Sequence, residues 1–300
     1  MAISSTIINY LRLVRIANVF TTVTNILLGY LFFTNINNFD YFIIVKLVSI
    51  SVFLYIGGMV LNDYFDIKID KKERPWRPLS SDKITKKNAL IIILFSFSYA
   101  LIFSLIMGSN TFIITFIMIG LIFLYNKFTK NTIYGPINMG SIRSLNIILG
   151  ASQSIFLLEG ELSFDNRFLI PVLCEFFYVY AITVLSKNET KEFFFSFSNV
   201  VPFVIIYLVI FFILIFILFD VIKYESLIPL AIFFSVVLYS QITLLKKTIT
   251  IQRTISYLIM MIVILDSIFI TDIIGIYYSF TLSFLLILPI LFLSKKIYLT

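Results

Sequence analysis

The chain has 300 residues, of which 60% are hydrophobic and 13% charged, and its mean hydropathy is +1.03. Soluble globular domains are about 45–50% apolar, so this composition excludes that class and reads as a polytopic membrane protein. The net charge of +7 suits contact with anionic lipid and makes no case for nucleic acid. There is no His, which removes imidazole acid–base catalysis, His-ligated haem and His-based zinc sites. The only Cys, Cys174, lies inside an apolar run, so disulfides and Cys-based metal clusters are excluded as well. No Walker A or dinucleotide glycine pattern occurs. The chemistry falls to carboxylates, Lys, Arg, Tyr, amides and a metal.

In chain order, apolar runs occupy 17–34, 41–61, 88–108, 110–125, 133–158, 168–185, 199–219, 226–245, 255–271 and 275–294. Most reach the roughly 20 residues that a bilayer-spanning helix needs; 110–125 and 255–271 are short. The expectation is an all-α transmembrane bundle of nine to ten helices, one domain over 1–300 with no soluble module. Arg12 and Arg15 precede the first run, which lacks a small-residue cleavage site and reads as a retained helix. Eight Lys/Arg fall in 62–87, and more sit at Lys127/Lys130, Lys187/Lys191, Lys246/Lys247/Arg253 and Lys295/Lys296. The alternate loops hold only Arg167 and Lys223. The positive-inside rule therefore puts the 62–87 loop and the N terminus on the cytoplasmic side of the cell membrane.

The second run leads into Asn62-Asp63-Tyr64-Phe65-Asp66-Ile67-Lys68-Ile69-Asp70. On a helix, Asn62, Asp63, Asp66 and Asp70 fall within roughly a 100° arc. Three carboxylates so close repel one another unless a cation sits among them. Oxygen-only donors favour Mg²⁺, which completes its shell with water and phosphate. The following Lys71-Lys72-Glu73-Arg74-Pro75-Trp76-Arg77 supplies cations for phosphate oxygens. The constellation suggests a metal-bridged diphosphate, with Asn62, Asp63, Asp66 and Asp70 as ligands and Arg74 and Arg77 on the phosphates. The blander reading is a solvated, helix-capping loop.

After the fourth run, Gly135-Pro136 marks a turn into the fifth. That fifth run carries Asn138, Arg143, Asn146 and Gln153 among Ile, Leu, Met and Gly. Leaving Arg143 in lipid would cost several kcal/mol, so it must face the bundle interior. Either it pairs with a buried acid, for which Asp266 is a candidate, or it faces an anionic group of a substrate together with Asn146. Asp266 itself reads as structural. The 34 Phe mostly fill packing and lipid-facing positions, and a few lining a cavity would suit an isoprenoid chain.

Taken together, these residues resemble the UbiA superfamily of intramembrane prenyltransferases along nearly the whole chain. Arg15-Ile16-Ala17-Asn18 is similar to the family's first-helix Arg-Pro-x-Asn, with Ile16 replacing the proline. Asn62-Asp63-x-x-Asp66-x-x-x-Asp70 fits its first aspartate motif, and Tyr125 with Lys130 resembles the Tyr-x-x-x-Leu-Lys element after helix 4. Glu73-Arg74-Pro75-x-Arg77-Pro78 and Gly135 to Asn146 look most like the EboC-like subgroup. The resemblance implies a ring of helices around a cavity, with Mg²⁺ and a polyprenyl diphosphate donor at the aspartate motif. It makes Asp63 and Asp66 catalytic and adds Asn18, Tyr125 and Lys130 to the substrate site. The family's second acidic motif should fall within Tyr178–Glu192, where no aspartate occurs. Beside Tyr178, this sequence offers Lys187, Glu189 and Glu192 there: either the Glu189/Glu192 pair, at helical i,i+3 spacing, replaces the aspartates as metal ligands, or Lys187 neutralises phosphate in place of a second metal.

Two functions follow. The first is Mg²⁺-dependent prenyl transfer to an aromatic, quinone-precursor or lipid acceptor. The second is a catalytically degenerate binding or transport protein of the same fold, for an isoprenoid or a small aromatic product.

Overall fold

The computed structural model describes residues 5–34, 39–154, 165–187 and 197–294. Twelve α-helices account for nearly all of these: α1 Ser5–Leu13, α2 Val19–Phe33, α3 Tyr41–Glu73, α4 Lys86–Met107, α5 Ser109–Leu124, α6 Tyr134–Gly150, α7 Leu169–Ser186, α8 Phe197–Leu218, α9 Leu227–Leu245, α10 Ile251–Met260, α11 Ile262–Ile274 and α12 Ile276–Ser294. Among the described residues, nine helical segments are long and apolar enough to cross a membrane. Both runs that looked short in sequence belong to longer spans, Ser109–Thr129 and Ile251–Ile274, the second bent at Met261 between α10 and α11. The remaining run of the ten forms α6, a 17-residue helix that is not among these nine. It runs antiparallel to α7: Lys187 Nζ donates to the Thr132 carbonyl just before α6, and Ser144 Oγ to the Val172 carbonyl. The protein is an all-α integral membrane bundle.

Helix α3 outlasts its apolar run. The residues after Leu61 include no Gly or Pro until Pro75, so nothing stops the helix before Glu73. Pro75 then disfavours helical geometry at Arg74, whose φ of −140° ends α3. The other end is capped by Asp40, whose carboxylate accepts the amides of Phe42 and Ile43. This length carries the acidic face beyond the apolar part of the bundle.

Helices α2 and α6 form the seam of the bundle. A Cβ on Gly29 would lie 1.9 Å from the Ile147 carbonyl oxygen, and one on Gly150 2.3 Å from that of Ile26. The two backbones therefore touch, as small residues allow in membranes. One apolar cluster joins Ile26, Tyr30 and Leu149 to α3, α4 and α5; the other joins Leu28, Leu31 and Ile147 to α7–α11. The cavity opens where these two halves diverge.

Candidate functional site

The acidic face of α3 divides into two. About 40° separates Asn62 from Asp66, while Asp70 and Asp63 sit about 20° apart at the far edge of the arc. Lys130 Nζ donates to Asn62 Oδ1 at 2.7 Å and also to Asp66. On the other edge, Arg77 Nη1 donates to Asp70 Oδ2 at 2.9 Å and to Asp63 Oδ1 at 3.3 Å. Asp63 Oδ1 also accepts from Arg15 Nη2 at 3.2 Å, and Arg74 Nη1 stands 3.7 Å from Asp70 Oδ1. Basic side chains thus relieve the repulsion among the three acids.

The four expected metal ligands are thus divided between two sets of cations. Among the described residues no group of three acids is gathered as a metal cluster. Asn62 and Asp66 line the cavity; Asp63 and Asp70 lie behind the wall as anchors for Arg77 and Arg15. The donor chemistry of Asn62 and Asp66 fits Mg²⁺, which takes one or two protein carboxylates and fills its shell with water and phosphate. The pair already holds a positive centre, the Lys130 ammonium, between its oxygens. Asp70 Oδ1 is a further buried oxygen without a hydrogen-bond partner among the described residues.

Two local irregularities position the cations. Residues Tyr125–Thr129 form a π turn, in which the Lys130 amide donates to the Tyr125 carbonyl at 3.0 Å. In an α-helix these residues would point about 140° apart; the π turn lets both line the cavity. Arg15 has a left-handed φ of 46°, and its carbonyl accepts the Tyr55 hydroxyl at 3.3 Å. Such strain, of order 1–3 kcal/mol, persists where surrounding contacts fix it. Burial pulls the Lys130 pKa below its ordinary value, opposed by Asp66. Burial, reinforced by Arg15, does the same at Arg77, opposed by Asp63 and Asp70.

The cavity has a volume of about 500 Å³, within the range of roughly 300–1,000 Å³ usual for ligand sites. Asn18, Arg74, Arg77, Tyr125, Lys130, Arg143 and Lys187 all line it. On α3 its lining runs from Glu73 to Leu54, about 28 Å along the helix axis. The mouth is charged; the far wall is apolar, built from Leu54, Ile142, Val179, Ile182, Ile255, Ile259 and Ile262.

Two expected substrate residues lie elsewhere. Asn146 is buried and ties three helices together, donating to the Thr22 carbonyl at 3.0 Å and accepting from Ser51 Oγ at 2.7 Å. Tyr178 is fully buried, donates to the Leu258 carbonyl at 2.7 Å and packs on Phe233. Glu189 and Glu192 lie outside the described residues. Asp266 does not pair with Arg143; it accepts from Asn25 Nδ2 at 2.9 Å. Sequence reading overlooked Glu175, a fully buried carboxyl on α7, although an ionisable residue inside an apolar span is itself a signal.

An intramembrane helical bundle with a basic and acidic mouth over an apolar shaft is the architecture of a membrane-embedded site for an amphiphilic anion. The UbiA prenyltransferase family model matches residues 22–192, more than half of the chain, and the protein belongs to that family. It is 28% identical over 184 residues to the digeranylgeranylglyceryl phosphate synthase of Sulfurisphaera tokodaii, covering 61% of each chain. The Methanococcus aeolicus synthase of the same name is 33% identical over 190 residues, covering 61% of this chain and 63% of the relative. The chain thus matches about three-fifths of the length of these curated relatives. Among solved structures, one concerned with digeranylgeranylglyceryl phosphate synthase superposes with a TM-score of 0.64 at 23% identity, covering 91% of this chain and 100% of that one. A UbiA homolog from Archaeoglobus fulgidus bound to DMAPP and Mg²⁺ superposes with a TM-score of 0.54 at 14% identity, covering 96% and 99%. At these identities the superpositions establish the shared fold.

Proposed function

We propose that this protein is a prenyltransferase that moves a prenyl group from a polyprenyl diphosphate to a lipid acceptor. The observation that carries the reading is one cavity whose lining spans about 28 Å along α3 and joins a mouth of cations and acids to an apolar wall. An isoprenoid diphosphate has those same two ends. Arg74, Arg77, Lys130 and Lys187 neutralise the phosphate oxygens, while Asp66 and Asn62 would hold Mg²⁺ and Asp63 and Asp70 orient Arg77. Bound there, Mg²⁺ supplies electrophilic stabilisation to the departing diphosphate. The dry Ile and Val walls keep water from the allylic carbon as its C–O bond breaks. Tyr125 lines the cavity and would offer its ring to developing positive charge.

Relatives named for making digeranylgeranylglyceryl phosphate support a glyceryl lipid as the acceptor class, ahead of an aromatic or quinone precursor. The basic loops support a cytoplasmic mouth, and the reading takes residues 1–300 as one domain. The absent second aspartate motif favours a second reading, a binding or transport protein for an isoprenoid diphosphate, to which the EboC-like resemblance belongs. Diphosphate release from radiolabelled geranylgeranyl diphosphate, with geranylgeranylglyceryl phosphate offered as acceptor, separates the two. Mg²⁺-dependent release that Asp66→Ala abolishes is the expected result. Binding without release would give the second reading the lead.

A further inference from the structure

Arg143 lines the cavity beside Tyr55, below the cluster of Arg77, Lys130 and the α3 acids. Its guanidinium stands over the Tyr55 ring, 6.0 Å from the centroid, and its Nη1 is buried without a hydrogen-bond partner among the described residues. Behind this wall lies Glu175, 1% exposed, with neither carboxylate oxygen hydrogen-bonded among the described residues. The antiparallel register of α6 and α7 places the two residues at the same level of the bundle. Gly140 abuts the Phe176 backbone, and Ser144 bonds to Val172. Helical side chains lean toward the N-terminus, so the stem of Arg143 lies over the turn at 139–140, level with Glu175. Asp266 on α11, also 1% exposed, completes the group and is tied by Asn25 to Asn146 on α6.

A lone guanidinium at this depth would be a second anion site in the same cavity. It would draw a diphosphate away from the mouth and bury it in the wrong orientation. We propose that Glu175, supported by Asp266, is a positioning residue that holds Arg143 against the cavity wall and balances its charge, so that the anionic end of a ligand is directed to the mouth. Arg143 then presents hydrogen-bond donors below the mouth without acting as a free cation. This revises the expectation that Arg143 faces an anionic substrate group, and it rests on the reading of the mouth as the diphosphate site.

The test is equilibrium binding of geranyl diphosphate to the purified full chain, in EDTA and in millimolar Mg²⁺. In Glu175→Gln we expect binding in EDTA to tighten about tenfold over wild type, because Arg143 is unmasked. Adding Arg143→Gln should remove that gain. A purely structural role would lower thermal stability without creating metal-independent binding, so a folded Glu175→Gln protein with wild-type binding in EDTA overturns the proposal. If Glu175→Gln does not fold, the double variant decides. Restored folding supports the pairing, and failure as complete as in the single variant overturns it. The mouth is tested separately: wild-type binding in Mg²⁺ that Asp66→Ala leaves intact would sink the diphosphate-site reading, whatever Glu175→Gln does.

Discussion

Replacing Arg77 with Met tests how the acidic face of α3 is held together. The Arg77 side chain is 10% exposed and bridges Asp70 at 2.9 Å and Asp63 at 3.3 Å. Removing one partner of a buried ion pair typically costs about 3–5 kcal/mol, because the remaining charge is left uncompensated. Here each acid keeps a second cation, Arg15 at 3.2 Å for Asp63 and Arg74 at 3.7 Å for Asp70. The cost therefore falls at the lower end, about 3 kcal/mol. At about 2–4 °C per kcal/mol for a chain of a few hundred residues, Tm should fall by about 6–12 °C. Arg77→Lys should recover part of this, since one ammonium cannot span both carboxylates in the forked geometry of a guanidinium. The assay is thermal unfolding in detergent with EDTA and no donor. A Tm for Arg77→Met within about 2 °C of wild type would refute the reasoning, given the shift expected for a broken buried pair.

Three further outcomes are expected. Lys187→Met should weaken geranyl diphosphate binding by a similar factor at every Mg²⁺ concentration, because an ammonium acts on phosphate as a point charge; a loss confined to one end of the titration would contradict this. Gly29→Leu should sharply lower the yield of folded protein, since its Cβ alone would meet the Ile147 carbonyl at 1.9 Å. Size-exclusion profiles of the variant matching wild type would show that the α2–α6 contact is not as tight as described. Single cysteines at Lys83 and Tyr277, in a Cys174→Ser background, should react with an impermeant reagent from opposite sides of the membrane, and labelling of both from one side would overturn the crossing order.

Much of the bundle was legible because membrane helices announce themselves by long apolar runs. The boundaries were less so. The apolar run ended at Leu61, and only the spacing of the acids carried the helix on to Asp70, whereas α3 persists to Glu73 before Pro75. The charged residues of the mouth were readable from their spacing, but their partners were not. A one-turn π segment at Tyr125–Thr129 turns Lys130 onto Asn62 and Asp66, and a left-handed Arg15 accompanies its reach to Asp63. Spacing on α3 alone treated four residues as one metal set, whereas cations from three other segments divide them. Asn146 and Tyr178 were misplaced for a related reason: a polar atom on an apolar helix serves a neighbouring backbone as readily as a ligand. Glu175 was concealed by the Leu and Phe around it.

The most direct test of prenyl transfer is the identity of the labelled product. Membranes containing the full chain would be incubated with Mg²⁺, radiolabelled geranylgeranyl diphosphate and geranylgeranylglyceryl phosphate, then extracted into organic solvent. We expect the label to move into a lipid carrying a second prenyl chain, and to remain in the water-soluble diphosphate fraction with Asp66→Ala. Label retained as unreacted diphosphate in the wild-type membranes, although the protein binds the donor, would contradict the account.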